Sequence, residues 1–150
     1  MQQRSLVLFK PDCVQRHMVG ELFQRFERKG LKLVGMKFLQ ASRTLAEKHY
    51  AVHQGKKFYE SLVQFIISGP TVAMVWEAPG VIDFIRAMIG KTNGMESPLG
   101  TIRGDFAASI QNNLVHASDS PDSAATEIAL WFKADELVEW QPVDHAWIQG

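Results

Sequence analysis

The sequence has 150 residues, which fits one ordinary domain spanning 1–150 and leaves little room for a second. Hydrophobic residues make up 46% of the chain and charged residues 21%, a mix that is usual for a globular protein with a buried core. Because sixteen basic residues balance sixteen acidic ones, the net charge does not draw the whole protein onto nucleic acid or an anionic membrane.

The spacing of apolar residues predicts the elements of the first half of the chain. A short apolar run at 5–9 is typical of a buried strand, and Lys10-Pro11 ends it because proline cannot continue a central ladder. Val19 begins a helical pattern that Gly30 stops. The elements expected next are a strand at 31–39, a short helix at 45–53 capped by Ser42 or Thr44, and a helix at 58–67.

The second half of the chain continues this alternation. We expect, in order, a strand at 71–77, a helix at 81–89, a long ordered loop at 90–104, a strand at 114–116, and a helix capped by Ser120 with Pro121 at its first position. A loop of this length in a compact domain is more often functional than accidental. The order of elements predicts an α+β fold, a ferredoxin-like sandwich with a four-stranded antiparallel sheet (βαββαβ) and helices on its faces.

The cysteine content and the N-terminus bear on the compartment. Cys13 is the only cysteine, so an intrachain disulfide cannot form, which fits a reducing environment. Residues 1–4 do not begin the apolar stretch of a signal peptide, and no segment approaches the ~20 apolar residues that span a bilayer. We therefore expect a cytoplasmic protein with no membrane partner.

His116 is the first candidate for a chemical role. It ends an apolar run and is followed by the hydroxyl of Ser118 and the carboxyl of Asp119, a setting that suits a nucleophile or an acid–base group. The alternative is a histidine packed at a strand end and bonded to Ser118. Asn113 lies three residues before His116, so the two share a site only if Asn113 precedes the strand or the strand is irregular.

Cationic and hydroxyl side chains near the long loop are candidate phosphate ligands. Arg86 precedes the loop, and Thr92, Thr101 and Arg103 lie in or beside it. Guanidinium forks and hydroxyls suit phosphate oxygens, whereas the alternative is a set of solvated surface charges. Lys10 follows the first strand and either offsets phosphate charge or extends from a strand end into water.

Many blocks of the chain, in the same order, closely resemble the nucleoside diphosphate kinase family. The similarity runs nearly the whole chain, through the segments 8–12, 14–16, 25–27, 49–50, 68–70, 100–106, 113–120 and 130–133. The segment Asn113-Leu114-Val115-His116-Ala117-Ser118-Asp119-Ser120 is similar to the family's active-site signature. The resemblance implies a ping-pong reaction, in which the γ-phosphoryl group of a nucleoside triphosphate passes to His116 and then to a nucleoside diphosphate.

The resemblance also implies which residues form the site. The implied catalytic residues are His116, Lys10, Tyr50, Asn113, Ser118 and Glu127. Glu127 matches the glutamate that holds the other ring nitrogen of the histidine, and Ser118 matches a hydroxyl that contacts it. Tyr50 matches a side chain that hydrogen-bonds near the histidine. The implied substrate-binding residues are Lys10, Phe58, Leu62, Arg86, Thr92, Arg103, Ile110 and Asn113.

Phe58, Leu62 and Ile110 match a slot for the nucleotide base. Phe58 corresponds to the ring on which the base stacks, and the other two correspond to the sides of the slot. Because stacking tolerates every base, the expected partners are nucleoside di- and triphosphates in general, ATP, GTP, ADP and GDP among them. The alternative is that these apolar residues belong to the core. Mg²⁺ is expected to arrive bound to the nucleotide, with no protein metal site of its own.

Three positions depart from the family's pattern, and one of them, Ala117 in place of the usual glycine after the histidine, is a mild change also seen in the family. Cys13 stands where the family usually has glycine, so a shift of the loop behind Lys10 is one consequence to examine. Gly94 stands where many relatives have a proline associated with subunit contacts. The resemblance implies a homo-oligomer, and the long tail with Trp140, Pro142 and Trp147 favours a hexamer over a tetramer. The tail's alternative role is to cover the subunit's own core.

Three other functions compete with the kinase. A regulatory binding protein would be expected to lack the histidine or its phosphate donors, which are present here. A nucleic-acid-binding module is disfavoured as the primary role by zero net charge and the lack of a basic stripe. A phosphohistidine protein kinase or phosphatase shares His116 but does not require the slot at Phe58.

Overall fold

The computed structural model describes residues 2–150. Its strands and α-helices, in chain order, are β1 (Gln2–Phe9), α1 (Pro11–Gln15), α2 (Val19–Arg28), β2 (Lys32–Gln40), α3 (Arg43–His49), α4 (Tyr59–Ile66), β3 (Pro70–Pro79), α5 (Val81–Ile89), α6 (Ile102–Phe106), β4 (Val115–Ala117), α7 (Pro121–Trp131) and α8 (His145–Ile148). Short 3-10 helices occupy Ala51–His53, Gly94–Glu96 and Ala134–Glu136.

The four strands form one antiparallel sheet in the order β2-β3-β1-β4. β1 pairs with β3 along its whole length, with Leu6 opposite Val75 and Leu8 opposite Ala73. Both central strands are buried on their two faces, which is why their sequences are nearly continuous apolar runs. The strand order and pairing are those of a ferredoxin-like sandwich, so the predicted fold class is confirmed.

Helices cover both faces of the sheet. Val7 and Phe9 of β1 face a core that includes buried side chains of α2 and α5, whereas Leu6 and Leu8 face a second core with α3, α4 and α7. Each buried side chain of this size contributes roughly 1.5–3 kcal/mol relative to an exposed one. Packing on both faces fixes β1, and β1 in turn holds β4, the strand that carries His116.

Several predicted boundaries were wrong, for local reasons. β1 begins at Gln2 rather than at residue 5, because polar residues extend the ladder and Arg4 is paired with Glu77 across the strands. The predicted helix at 45–53 is α3 followed by a 3-10 helix, and Ser42 is its cap, with the Ser42 hydroxyl accepting from the Leu45 amide at 3.0 Å. The spacing of apolar residues does not show which polar residues pair across strands. It also does not decide whether Ser42 or Thr44 caps the helix.

The predicted loop at 90–104 is partly helical. It contains the 3-10 helix Gly94–Glu96, and α6 begins within it at Ile102. The Thr101 hydroxyl caps α6 by accepting from the Gly104 amide at 3.0 Å. The long segment is therefore ordered, as expected, but two short helical turns give it its shape.

Cys13 fits the chain without backbone strain. It lies in α1, a short helix that the sequence analysis did not predict and that begins with Pro11 at its first position. Among the non-glycine residues of 2–150, only His17 and Leu114 have a positive φ, so position 13 does not require glycine. The thiol is buried in the core, and that burial raises the pKa of Cys13 to about 12.

The C-terminal tail packs partly on its own subunit. The Trp140 indole donates to the Leu33 carbonyl at 2.8 Å, and the Val138 amide donates to the Val34 carbonyl at 2.8 Å. Trp147, in contrast, is 91% exposed. Within residues 2–150, each helix is too short or too polar to cross a membrane.

Candidate active site

His116 lies at the centre of β4, opposite Leu8 of β1, with a half-buried ring. Its Nε2 atom lies 3.1 Å from Oε2 of Glu127, which projects from α7. The other carboxylate oxygen of Glu127 accepts a hydrogen bond from the Ser118 hydroxyl at 2.7 Å. The structure therefore brings together the three residues that the resemblance linked, and the alternative in which Ser118 alone holds the histidine is not observed.

The ionised form of Glu127 is favoured by its partners. Burial opposes ionisation, but the hydrogen bond and charge of His116, together with the Ser118 hydroxyl, hold the pKa of Glu127 below its usual range. An ionised carboxylate only accepts hydrogen bonds, so Nε2 of His116 carries the proton in this pair. When the imidazole carries this one proton, its lone pair lies on Nδ1.

An irregular backbone at Leu114 lets Asn113 share the site with His116. Leu114 has a φ of +73°, and Asn113 precedes β4 rather than lying in it. The Leu114 amide donates to a carboxylate oxygen of Asp12 at 3.0 Å, which stabilises this turn. Of the two arrangements that the spacing allowed, the one with Asn113 in the preceding loop is observed.

Lys10 is buried beside Asn113 and does not extend into water. Its ammonium donates to Oδ1 of Asn113 and to the Gln111 carbonyl, the latter at 3.3 Å. Burial lowers the pKa of Lys10 to about 8, with the charge of Asp12 opposing the shift and that of Arg103 adding to it. A buried cation bound only to neutral oxygens is well suited to attract an anion.

Arg103 is also buried, and backbone carbonyls hold it in place. Its guanidinium donates to the carbonyls of Val115 at 2.6 Å, Asn113 at 3.3 Å and Gly90 at 3.3 Å. Burial, assisted by the nearby charge of Arg86, lowers the pKa of Arg103 to about 10. Arg103 is therefore not a solvated surface charge, which was the alternative that the sequence allowed.

Arg86 completes a group of three cations around β4. It projects from α5 and donates to the Ala117 carbonyl at 3.3 Å. Within residues 2–150, none of Lys10, Arg86 and Arg103 forms an ion pair with a carboxylate. Thr92 is close, since its carbonyl accepts from the Asn113 amide group at 2.9 Å. Three cations that form no ion pair and are grouped around β4 are suited to bind an anion with several charges.

His49 is a site residue that the sequence analysis missed. Its ring meets that of His116 edge-on, with 4.6 Å between centroids, and its Nδ1 accepts from the Trp131 indole at 3.1 Å. Burial, assisted by the charge of His116, lowers the pKa of His49 to about 3, so this imidazole is neutral. The signal available was the pair His49-Tyr50 at a helix end, which does not reveal which ring faces β4.

Tyr50 lies in the same cluster, but the hydrogen bond expected of it is not observed. Its ring contacts His49 at 4.7 Å between centroids. Burial raises the pKa of Tyr50 to about 12. Within the part of the chain that the structure describes, the Tyr50 hydroxyl forms no hydrogen bond, so its expected bond near the histidine stays a prediction.

The residues predicted to form the base slot lie on two facing segments. Phe58 immediately precedes α4 and is 48% exposed, Leu62 is half-buried in that helix, and Ile110 lies in the loop before β4 and is 62% exposed. Phe58 and Ile110 are therefore not core residues. The Ser61 hydroxyl donates to Oε1 of Gln111 at 2.8 Å and joins the two segments.

One group of side chains at the site has metal-ligating atoms. Ligand atoms of His49, His116 and Glu127 lie within 4.8 Å of one another. Mg²⁺ prefers oxygen ligands in octahedral geometry, and two imidazoles with one carboxylate do not supply them. These residues are therefore a poor match for a dedicated Mg²⁺ site.

The fold and this site together define a histidine-centred phosphotransferase. Residues 3–137 match the family model described as nucleoside diphosphate kinase. A relative from Picosynechococcus sp. named nucleoside diphosphate kinase is 56% identical over 146 residues, covering 97% of this chain and 98% of the relative. A relative of the same name from Nostoc punctiforme is 55% identical with the same coverage.

Solved structures that are similar to this chain belong to the same family. A halophilic nucleoside diphosphate kinase from Halobacterium salinarum, solved in complex with CDP, superposes with a TM-score of 0.97 at 43% identity and full coverage of both chains. A nucleoside diphosphate kinase family protein from Babesia bovis gives a TM-score of 0.95 at 44% identity, covering 97% of this chain and 99% of that one.

This chain belongs to the nucleoside diphosphate kinase family. Its activity is the ping-pong transfer of the γ-phosphoryl group from a nucleoside triphosphate to a nucleoside diphosphate through a phosphohistidine.

Proposed function

We propose that Nδ1 of His116 is the atom that carries the phosphoryl group in this reaction. The observation that carries the proposal is the 3.1 Å contact between Nε2 of His116 and the carboxylate of Glu127. This contact leaves the lone pair on Nδ1 and keeps the proton on Nε2. Ser118 holds the second carboxylate oxygen, so it is a positioning residue for Glu127 and acts on the histidine only indirectly.

The two half-reactions balance at phosphorus. In the first, an Nδ1–phosphorus bond forms as the bond from the γ-phosphorus to the β–γ bridging oxygen breaks, and the nucleoside diphosphate leaves. In the second, a terminal phosphate oxygen of another nucleoside diphosphate attacks, and the Nδ1–phosphorus bond breaks. The proton on Nε2 stays with the His116–Glu127 pair throughout, and the positive charge that develops on the ring is stabilised by that carboxylate.

Lys10, Arg86 and Arg103 stabilise the charge of the transferring group. Their lack of carboxylate partners within residues 2–150 supports this role, because their charge is available to a phosphate. Thr92 is proposed as a further phosphate ligand. Asn113, whose amide bonds Lys10 and Thr92, is proposed to lie by the ribose 3′-hydroxyl and the transferring group. Phosphoryl transfer depends mainly on such positioning and charge stabilisation.

Mg²⁺ is proposed to be the cofactor, held by the phosphate oxygens of the nucleotide. The ligand-bearing cluster at the site contains two imidazoles, which do not suit this hard cation. When bound, Mg²⁺ supplies charge neutralisation on the phosphates. The residues of this chain then position the nucleotide: Phe58 stacks on the base, and Leu62 and Ile110 close the slot. The high exposure of Phe58 and Ile110 supports this role. Tyr50 is proposed to bond near His116 when the nucleotide fills the site.

A comparison of wild type with His116→Asn tests the assignment of the phosphoryl group to His116. With Mg·ATP alone, wild type is expected to form an acid-labile phosphoryl adduct, and addition of GDP is expected to discharge the adduct as GTP. The variant is expected to form neither product while retaining nucleotide binding. An adduct of equal yield on the variant would contradict the assignment of His116.

We also propose that the protein is a homo-oligomer, with a hexamer favoured over a tetramer. Large apolar side chains are exposed on the edge strand β2, on the 90–104 segment and on the tail: Met36, Phe38, Met95, Leu99, Val143 and Trp147. Apolar exposure at three places on one small chain supports contacts with more than one neighbouring subunit. Light scattering combined with gel filtration gives the subunit number, and a monomer at micromolar concentration would contradict the proposal.

The cytoplasm is the proposed compartment, and 1–150 is proposed as one domain. The buried Cys13 thiol, which lacks a second cysteine to pair with, supports a reducing environment. Fractionation of the source cells tests the location. One cooperative unfolding transition, coincident by fluorescence and circular dichroism, is expected of the single domain.

A further inference from the structure

A hydrogen bond spans the two segments that carry the proposed base slot. Phe58 and Leu62 belong to α4 and its first turn, and Ile110 belongs to the loop 107–114. The Ser61 hydroxyl on α4 donates to Oε1 of Gln111 in that loop at 2.8 Å. Within residues 2–150, this is the only hydrogen bond that joins α4 to the loop.

The bond is placed where it controls the distance between the walls of the slot. Ser61 lies between Phe58 and Leu62 along α4, and Gln111 directly follows Ile110. One side of the bond is thus within a turn of both helical slot residues, and the other side is adjacent to the loop residue. A change in its length moves one wall relative to the other.

Gln111, on the loop side of the bond, contacts Lys10 of the proposed site of phosphoryl transfer. Lys10 donates to the backbone carbonyl of Gln111 at 3.3 Å and to the side chain of Asn113. Gln111 therefore contacts Lys10 through its backbone and α4 through its side chain. The loop is held by the buried Lys10, which also lies over the Phe65 ring of α4, whereas Ser61 supplies the direct hydrogen bond from α4 to the loop.

The other polar contacts of α4 lead to α3 and β2, and they do not reach the loop. Arg43 pairs with Glu60, which joins α4 to α3 but not to the loop. Gln40 donates to the Ile67 carbonyl at 2.7 Å and fixes the far end of α4. Val52, in the connection between α3 and α4, is 81% exposed. The end of α4 that carries Phe58 is thus tied to α3 and to His53, and Ser61 supplies its hydrogen bond to the loop.

We propose that the Ser61–Gln111 hydrogen bond, here termed the strap, positions the two walls of the base slot and sets its width. This inference rests on the proposed function, because the slot itself is part of that proposal. The strap raises the fraction of molecules in which the slot has the width of a planar base, and apparent affinity scales with that fraction. Its effect therefore falls on nucleotide binding, and the transfer step at saturation is left unchanged.

The expected size of the effect follows from the chemistry of the bond. Ser61 and Gln111 are neutral and both are exposed, so water competes for each partner. A neutral hydrogen bond of this kind shifts an equilibrium by about twofold to tenfold. Removal of the strap is expected to raise KM for GDP by about that factor. It therefore lowers kcat/KM for GDP by the same factor.

Ser61→Ala, Gln111→Ala and the double variant test the strap. All three are expected to raise KM for GDP by a similar factor, about twofold to tenfold, with kcat unchanged. Ser61→Thr keeps the hydroxyl and is expected to stay near wild type. Ser68→Ala and Gln64→Ala are matched controls at α4, because their side chains bond only within or next to that helix. Additive effects of the two single variants, or an unchanged KM, would overturn the strap.

A further variant separates failure of the strap from failure of the slot. Phe58→Ala is expected to raise KM for GDP by more than Ser61→Ala does, because it removes the stacking surface. If Phe58→Ala raises KM and Ser61→Ala does not, the slot stands and the strap is overturned. If Phe58→Ala leaves KM unchanged, the slot in the proposed function is overturned, and the strap falls with it.

Discussion

The carboxylate of Glu127 lies 3.1 Å from Nε2 of His116, and it belongs to a helix that packs against the strand next to the histidine. Since α7 and β1 are both fixed by the core, the orientation of the imidazole is set by the fold. Ser118 supports the same carboxylate from β4's end at 2.7 Å. Under the proposed function, the nitrogen that reacts is therefore selected before any nucleotide binds.

Glu127→Gln is expected to slow formation of the phosphoenzyme. The amide keeps the shape of the side chain but loses the charge that stabilises the ring as it becomes cationic. A hydrogen bond to a charged group is worth about 1.5–3 kcal/mol, which corresponds to roughly 10- to 100-fold in rate. Rapid-quench measurement of the first turnover with Mg·ATP gives this rate. An equal rate in Glu127→Gln and wild type would contradict the role of the carboxylate.

Lys10 is expected to make catalysis fall at alkaline pH. Burial lowers its pKa to about 8, so the ammonium of the free enzyme loses its proton as the pH rises through that value. Because kcat/KM reports groups of the free enzyme, we expect it to decline above about pH 8. Lys10→Arg, which stays charged, is expected to be slower but flat over the same range. The same midpoint in both proteins would assign the decline to another group.

Arg103 and Arg86 are expected to differ in their effect on stability. Arg103 donates to three backbone carbonyls, whereas Arg86 donates to one. Arg103→Gln leaves buried carbonyls without a donor and is expected to lower the free energy of unfolding by about 1–3 kcal/mol. Arg86→Gln is expected to change it by less than about 1 kcal/mol. Both are expected to weaken ADP binding, which calorimetry measures, and equal stability loss would contradict the distinction.

His49 is expected to make the protein less stable in mild acid. Its pKa is about 3 in the folded protein against a usual value of 6.5, so between these values the unfolded chain binds the extra proton. The free energy of unfolding therefore falls as the pH drops below 6.5, by up to about 1.4 kcal/mol per unit from this residue. His49→Gln is expected to flatten that dependence in urea denaturation. His17→Asn, at an exposed position, is the control and is expected to keep the wild-type slope.

Spacing and apolar pattern predicted the four strands and the longer helices, but not the short helices or the geometry at His116. The alternation of strands and helices predicted the sheet, because buried central strands such as β1 must be apolar. The relation of Asn113 to His116 could not be predicted, because it depends on the positive φ of Leu114, an uncommon conformation for that residue type. The sequence showed only that Asn113 and His116 share a site if Asn113 precedes the strand or if the strand is irregular.

Long-range contacts also explain what was missed in the site. His49 comes close to His116 only through the packing of α3 and α7 on one face of the sheet, and Trp131 fixes its ring. The hydrogen-bond partners of Arg103 are backbone carbonyls. Because every residue has a backbone carbonyl, the sequence does not show which residues these partners are. The hydroxyl of Tyr50 is the opposite case. Its hydrogen bond near His116 was expected from the family resemblance, and the structure does not contain that bond.

The position of the phosphoryl group on the ring of His116 is the measurement that tests the central claim most directly. Phosphoenzyme prepared with Mg·ATP and no acceptor is examined by ³¹P NMR, which distinguishes the two phosphohistidine isomers, and the modified residue is located by mass spectrometry. The account predicts a phosphoryl group on Nδ1 of His116 alone. A phosphoryl group on Nε2, or on another residue that is discharged by GDP at the rate of turnover, would contradict it.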